Sequence, residues 1–110
     1  MAGDRRRGVC CQLPETADDG WASSRADVLR ALADPVRLSM VAALARASAP
    51  VCICDFTAAY RLTQPTISHH MAKLKEAGLV EASKHGIWTY YRLRSDLPDA
   101  IRRLVDAVLL

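Results

Sequence analysis

The chain has 110 residues, 51% hydrophobic and 25% charged, with a formal net charge of +3. That length fits one domain and leaves little room for a second. No apolar run approaches the ~18–20 residues needed to cross a bilayer, and none follows the basic start Met1–Arg7, so the chain reads as a cytoplasmic protein with no membrane partner.

Residues 1–22 lack helical periodicity and carry Gly3, Gly8, Pro14 and Gly20; they read as a flexible arm bearing Cys10 and Cys11. Residues 23–110 read as the folded domain. Helical patterning starts at Ser23, with Ser24 as N-cap and Ala26, Leu29 and Leu32-Ala33 as an apolar stripe. Asp34-Pro35 breaks that helix and starts a second, Asp as cap and Pro at the first helical position. Val36, Met40, Ala43-Leu44 and Ala47 make its core face, and Ser48–Pro50 ends it.

Val51–Asp55 leads into a short third helix that runs roughly to Tyr60, and Arg61-Leu62-Thr63 forms a turn. A fourth helix starts at Gln64 or Pro65, capped by Thr63 or Gln64, and ends at about Ala77, where Gly78 supplies a left-handed stop. Ile67, Met71 and Leu74 fall at i, i+4 and i+7 and form its buried face. Thr66, His69, His70 and Lys73 share the spacing of a polar face. The period then drops to two: Leu79–Ser83 and Ile87–Leu93 read as strands around a hairpin tip at Lys84-His85-Gly86. A last helix starts at Asp96 or Pro98 and carries Ile101, Leu104-Val105 and Val108-Leu109.

This order predicts a mainly α fold with a β-hairpin (α+β). A short helix, a tight turn and a second helix make a helix-turn-helix unit, and the hairpin behind it is the wing of the winged variety. Charge distribution agrees: Arg61–Arg94 holds six Lys/Arg against two acids, a balance of +4, and the rest of the chain is −1. A basic segment on a near-neutral body suits a polyanion such as double-stranded DNA. Gln64, Thr66, Ser68 and His69 sit where a recognition helix offers short polar side chains to base edges. Lys73, Lys75 and Arg61 suit phosphates, and Lys84 and His85 reach backbone or minor groove from the wing. A polar, solvated helix face would look the same taken alone. An enzyme is not expected: there is no C-x-x-C in a βαβ setting, no glycine-rich phosphate loop and no nucleophile–base constellation.

Three segments carry a specific resemblance. Leu62–Val80 resembles the recognition helix of the ArsR/SmtB metalloregulatory repressors, Ala31–Leu38 that family's second-helix signature, and Tyr90–Leu93 its second wing strand. The resemblance spans roughly residues 25–109. It implies a homodimer, joined through its first and last helices, on an imperfect inverted repeat of operator DNA. It also implies that the metal-free protein represses and the metal-bound protein lets go.

Four cysteines bear on sensing: Cys10, Cys11, Cys52 and Cys54. Val51–Asp55 resembles the cysteine box at the start of the family's third helix. Thiolates select soft ions, and Cys52 and Cys54, two apart on an extended chain, can point to one side. Three thiolates suit As(III), the expected inducer, because the adjacent Cys10-Cys11 pair resembles the arm of actinobacterial-type arsenite repressors. Four suit Cd(II), Pb(II) or Zn(II). Two other readings stay open: a thiol redox-sensing repressor of the same fold, and ordinary core packing of Cys52 or Cys54 with an incidental Cys10-Cys11. Residues 96–110 hold no His, and Asp99 precedes Arg102-Arg103, so no second metal site is expected there; His69 and His70 lie on the DNA-facing helix and are not expected as ligands.

Overall fold

The computed structural model describes residues 20–110; Cys10 and Cys11 lie outside them. The chain forms α1 (Trp21–Leu32), α2 (Pro35–Arg46), β1 (Val51–Cys52), α3 (Ile53–Tyr60), α4 (Gln64–Glu76), β2 (Val80–His85), β3 (Trp88–Leu93) and α5 (Asp99–Leu109). No helix among the described residues is long and apolar enough to cross a membrane.

α1 opens at Trp21, two residues before the patterned start, behind Gly20 at φ 80°. Ser24 is therefore inside the first turn, where its hydroxyl donates to the Trp21 carbonyl rather than capping the helix. The buried ridge is Val28, Ala31 and Leu32, whereas Leu29, expected inside, is 48% exposed. α1 carries apolar residues on adjoining faces, so periodicity alone does not choose between them; packing against α2 and α4 does. α2 starts as expected: Asp34 is extended, its carboxylate accepts from the Arg37 backbone N–H at 3.0 Å, and Pro35 takes the first helical position. Met40, Val41 and Leu44 are buried, while Ala47 ends the helix exposed.

The two-residue strand β1 pairs antiparallel with β3, Val51 opposite Tyr91 and Cys52 opposite Tyr90, giving a sheet ordered β1-β3-β2. The extended stretch thus ends at Cys52, and Cys54 lies in the first turn of α3. Arg61 closes α3 in a left-handed conformation at φ 54°. Thr63 caps α4. α4 stops at a Schellman motif: Leu79 N–H donates to Leu74 O and Gly78 N–H to Lys75 O, with Gly78 at φ 77°.

The wing tip is one step further on than the sequence pattern puts it. His85 pairs with Trp88 and Lys84 with Thr89, leaving Gly86-Ile87 as a two-residue turn. Gly86 has φ 65° and Ile87 does not have positive φ, the arrangement of a II′ turn, whose twist matches the flanking strands. α5 starts at Asp99 behind Pro98. The core joins all these elements: Met40, Val41, Ile67, Met71, Leu74, Leu79 and Val80 are fully enclosed. No buried side-chain polar atom among the described residues lacks a hydrogen-bond partner.

Candidate functional site

α3, the turn Arg61-Leu62-Thr63 and α4 form the helix-turn-helix, and β2–β3 form the wing behind it. α4 is anchored by Ile67, Met71 and Leu74, all fully enclosed, which turns Gln64 and His69 outward and leaves Thr66 and Ser68 half-exposed. Thr66 also belongs to the cap: its N–H and hydroxyl both meet the Thr63 hydroxyl, at 3.4 and 2.9 Å. Lys75, Lys84, His85 and Arg61 are exposed.

The expected polar face of α4 splits in two. His69 points outward, but His70 is turned toward α2, where its Nδ1 accepts from Arg37 Nη1 at 3.3 Å and lies 3.9 Å from the Asp34 carboxylate. Lys73, one turn on, lines a cleft with Asp27, Arg30, Arg37 and Glu76. The 100° step between neighbours on a helix puts His69 and His70 on different sides. The basic segment is also thinner than its composition implies. Arg92 and Arg94 both pair with Glu81, and Arg94 with Asp96 as well, at 2.8 Å. Those pairs hold Asp96 below the usual carboxylate range, chiefly through its hydrogen bonds from Arg94. Arg61, Lys73, Lys75 and Lys84 make no ion pair among the described residues.

Cys52 and Cys54 meet at the N-terminus of α3. Cys54 Sγ donates to Cys52 Sγ at 2.7 Å, and the Cys54 backbone N–H approaches the same sulfur at 3.4 Å. Cys52 serves as the α3 N-cap. The pair comes together through this cap, not through the extended alternation the sequence suggests. Hydrogen bonding to Cys52, followed by burial and by the charges of Cys52 and Asp55, pushes the Cys54 thiol up. Cys52 belongs to the core while Cys54 is exposed, so the pair straddles the surface with one sulfur open to a ligand. Two soft donors side by side fit a thiophilic ion. No three His, Cys, Asp or Glu side chains among the described residues cluster as a metal site, so a closed thiolate site needs donors from elsewhere.

Sequence reasoning missed two features. β1 is too short for a period-two signal to show. The contact between Arg37 and His70 joins residues 33 positions apart, which local patterning cannot see. The Asp34-Pro35 start of α2, which places Arg37 in its first turn, was the signal available.

Comparison with known proteins agrees with this architecture. Residues 34–82 match the family model described as bacterial regulatory protein, arsR family. The chain is 38% identical over 82 residues to the arsenic resistance transcriptional regulator ArsR1 of Pseudomonas putida, covering 74% of this chain and 63% of that one. It is 37% identical over 79 residues to the arsenical resistance operon repressor of Escherichia coli, covering 72% of this chain and 67% of that one. Among solved structures it resembles a homodimeric winged helix-turn-helix DNA-binding domain from Mycobacterium bovis, 29% identical, TM-score 0.66, over 84% of this chain and 83% of that one. These relatives are transcriptional regulators and not enzymes, and their signature falls on the capped α2, the helix-turn-helix and the first wing strand described above. The chain belongs to the ArsR family of bacterial regulatory proteins.

Proposed function

We propose that this protein is a cytoplasmic, homodimeric repressor that binds operator DNA when metal-free and is released when As(III) binds its cysteine thiolates. The observation that carries this reading is the 2.7 Å Cys52–Cys54 contact at the start of α3, one short helix and a turn away from α4. Cys54, exposed, takes up the ion and Cys52 supplies the second sulfur. Cys10 or Cys11, which precede the described residues in the sequence, supplies the third. With all four sulfurs engaged, the site suits Cd(II), Pb(II) or Zn(II) instead. The arsenical-resistance names of the two relatives support the As(III) choice.

Gln64, Thr66, Ser68 and His69 read bases, while Arg61, Lys73, Lys75, Lys84 and His85 hold the phosphate backbone. Loading the thiols stabilises an arrangement of α3 that suits the operator less well, so DNA and ion oppose each other by about 1–3 kcal/mol or more. The same sulfur contact supports a second reading, thiol redox sensing, in which oxidation rather than metal releases DNA.

The test is binding of the reduced protein to its own upstream DNA, titrated in parallel with arsenite, Cd²⁺, Pb²⁺ and peroxide. Release by arsenite at the lowest concentration is the expected result, with Cys52→Ser and Cys54→Ser binding DNA normally and no longer released. Release by Cd²⁺ or Pb²⁺ at lower concentrations favours four thiolates, and release by peroxide alone the redox reading. Serine variants that stay inducible would remove the sensor assignment.

A further inference from the structure

Arg37 occupies the first turn of α2, yet its side chain leaves that helix. Nε donates to the Ala31 carbonyl at 2.7 Å and Nη2 to the Arg30 carbonyl at 3.4 Å. These are carbonyls of the last turn of α1, where the helix offers no internal partner. Nη1 donates to His70 Nδ1, halfway along α4. One planar guanidinium therefore ties together the end of α1, the start of α2 and the middle of α4. Asp34 holds the assembly from the other side: it caps α2 through the Arg37 N–H and faces His70 at 3.9 Å. The His70 side chain is only 16% exposed, so it sits inside this junction rather than on the outward face of α4.

We propose that Arg37 and His70 are positioning residues that set the rotation of α4 against α1, and so the aim of Gln64, Ser68 and His69, without touching DNA themselves. The inference rests on the DNA-binding reading above. Three features make this junction, rather than the apolar core, the element that defines the angle. Ile67, Met71 and Leu74 hold α4 by non-directional contacts that tolerate small rotations, whereas a guanidinium fork fixes its partners in direction as well as distance. The fork spans three helices. And His70 immediately follows the outward-facing His69, so any rotation that moves one moves the other.

Arginine only donates, so in this contact Nδ1 accepts and the ring N–H is the one at Nε2. The charged and titratable groups around it are Asp34 and Arg37 of α2, the paired Asp27 and Arg30 of α1, and His69, Lys73 and Glu76 of its own helix.

Two measurements test this. Side-chain ¹⁵N NMR of the free protein is expected to show His70 with an unprotonated Nδ1 and a protonated Nε2; the opposite tautomer would overturn the junction without reference to DNA. Second, affinities for upstream and random-sequence DNA are compared for wild type, His70→Gln and His70→Leu. Glutamine offers an amide oxygen to Arg37 and is expected to keep the specificity ratio within about twofold, while leucine is expected to lower it about tenfold, the scale of one lost charge-assisted hydrogen bond. Random-sequence binding, carried by the lysines, is expected to stay unchanged in both variants. A leucine variant with the wild-type ratio, or one that loses both affinities in proportion, would overturn the positioning role. Wild-type protein indifferent to all DNA would instead sink the DNA reading, and this inference with it.

Discussion

Arg61 is held at φ 54° in the turn between α3 and α4, a conformation that suits glycine far better than a residue with a Cβ. A basic side chain at the head of the reading helix is a reason to tolerate that cost, since the guanidinium stands where phosphates are expected. Arg61→Gly should therefore separate two properties. Thermal unfolding should show a protein more stable by about 1 kcal/mol, while the slope of log affinity against log salt should fall by about one. A variant unchanged in salt slope would take Arg61 out of the interface. The positive φ was hidden in the sequence because the turn Arg61-Leu62-Thr63 contains no glycine, the usual marker of such a position. The cysteine pair was legible as a spacing, but the reason for its closeness was not: the sulfur of Cys52 acts as a helix cap, a role that Ser, Thr, Asp and Asn usually fill.

Among the elements, α4 was readable because its apolar residues fall on one face only. Ile67, Met71 and Leu74 leave no alternative phase. α1 was readable as a helix but not in its facing, because Val28-Leu29 and Ala31–Ala33 give it two adjoining apolar ridges. Truncating the centre of the α4 stripe, Leu74→Ala, should cost about 2–5 kcal/mol in chemical denaturation, since the site is fully enclosed and cannot refill. α2 makes a pH-dependent contribution through its cap. The hydrogen bond from the Arg37 backbone N–H, aided by the nearby Arg37 charge, holds Asp34 below its ordinary value of 3.8. A carboxylate depressed on folding stabilises the fold fully above its unfolded value and loses that contribution as pH falls through its folded value. Melting temperature measured from pH 6 downward to about pH 2 should thus drop more steeply in wild type than in Asp34→Asn, which keeps an acceptor but not the charge. Parallel curves would show that Asp34 is not the titrating cap.

At the scale of the whole molecule, the described surface leaves apolar side chains on its first and last helices: Trp21 and Leu29 on α1, Val108 on α5 and Leu110 just past its end, from 41% exposed upward. Val108 continues the α5 stripe of Ile101, Leu104 and Val105, which packs on the core, past the point where the core covers it. The uncovered end of that stripe, with Trp21 and Leu29 of α1, leaves apolar surface to cover, and in the proposed dimer the partner subunit covers it. Leu29→Glu and Val108→Glu should each shift sedimentation toward the monomer. Each should also lower affinity for a two-half-site operator by at least tenfold, roughly the 1.4 kcal/mol equivalent of losing simultaneous engagement. A glutamate variant that remains dimeric would place the interface elsewhere. The helix order, the wing and the outward placing of Gln64 and His69 were legible because each rests on local periodicity or on capping and turn residues. Contacts between distant segments, such as Arg37 with His70 and β1 with β3, were not, because local patterning does not pair residues so far apart in the chain.

The strand β1 is only two residues long. It ties the sulfur-bearing end of α3 to β3 by only two residue pairs, whereas β2 and β3 share six. A ladder that short can part by local opening long before the core does. Amide hydrogen exchange should therefore find Val51 and Cys52 opening at a small fraction of the global unfolding free energy, with the interior of the β2–β3 hairpin holding out longer. The chain at the thiol pair would then behave as a latch on the wing, released and re-seated many times within the lifetime of one folded molecule.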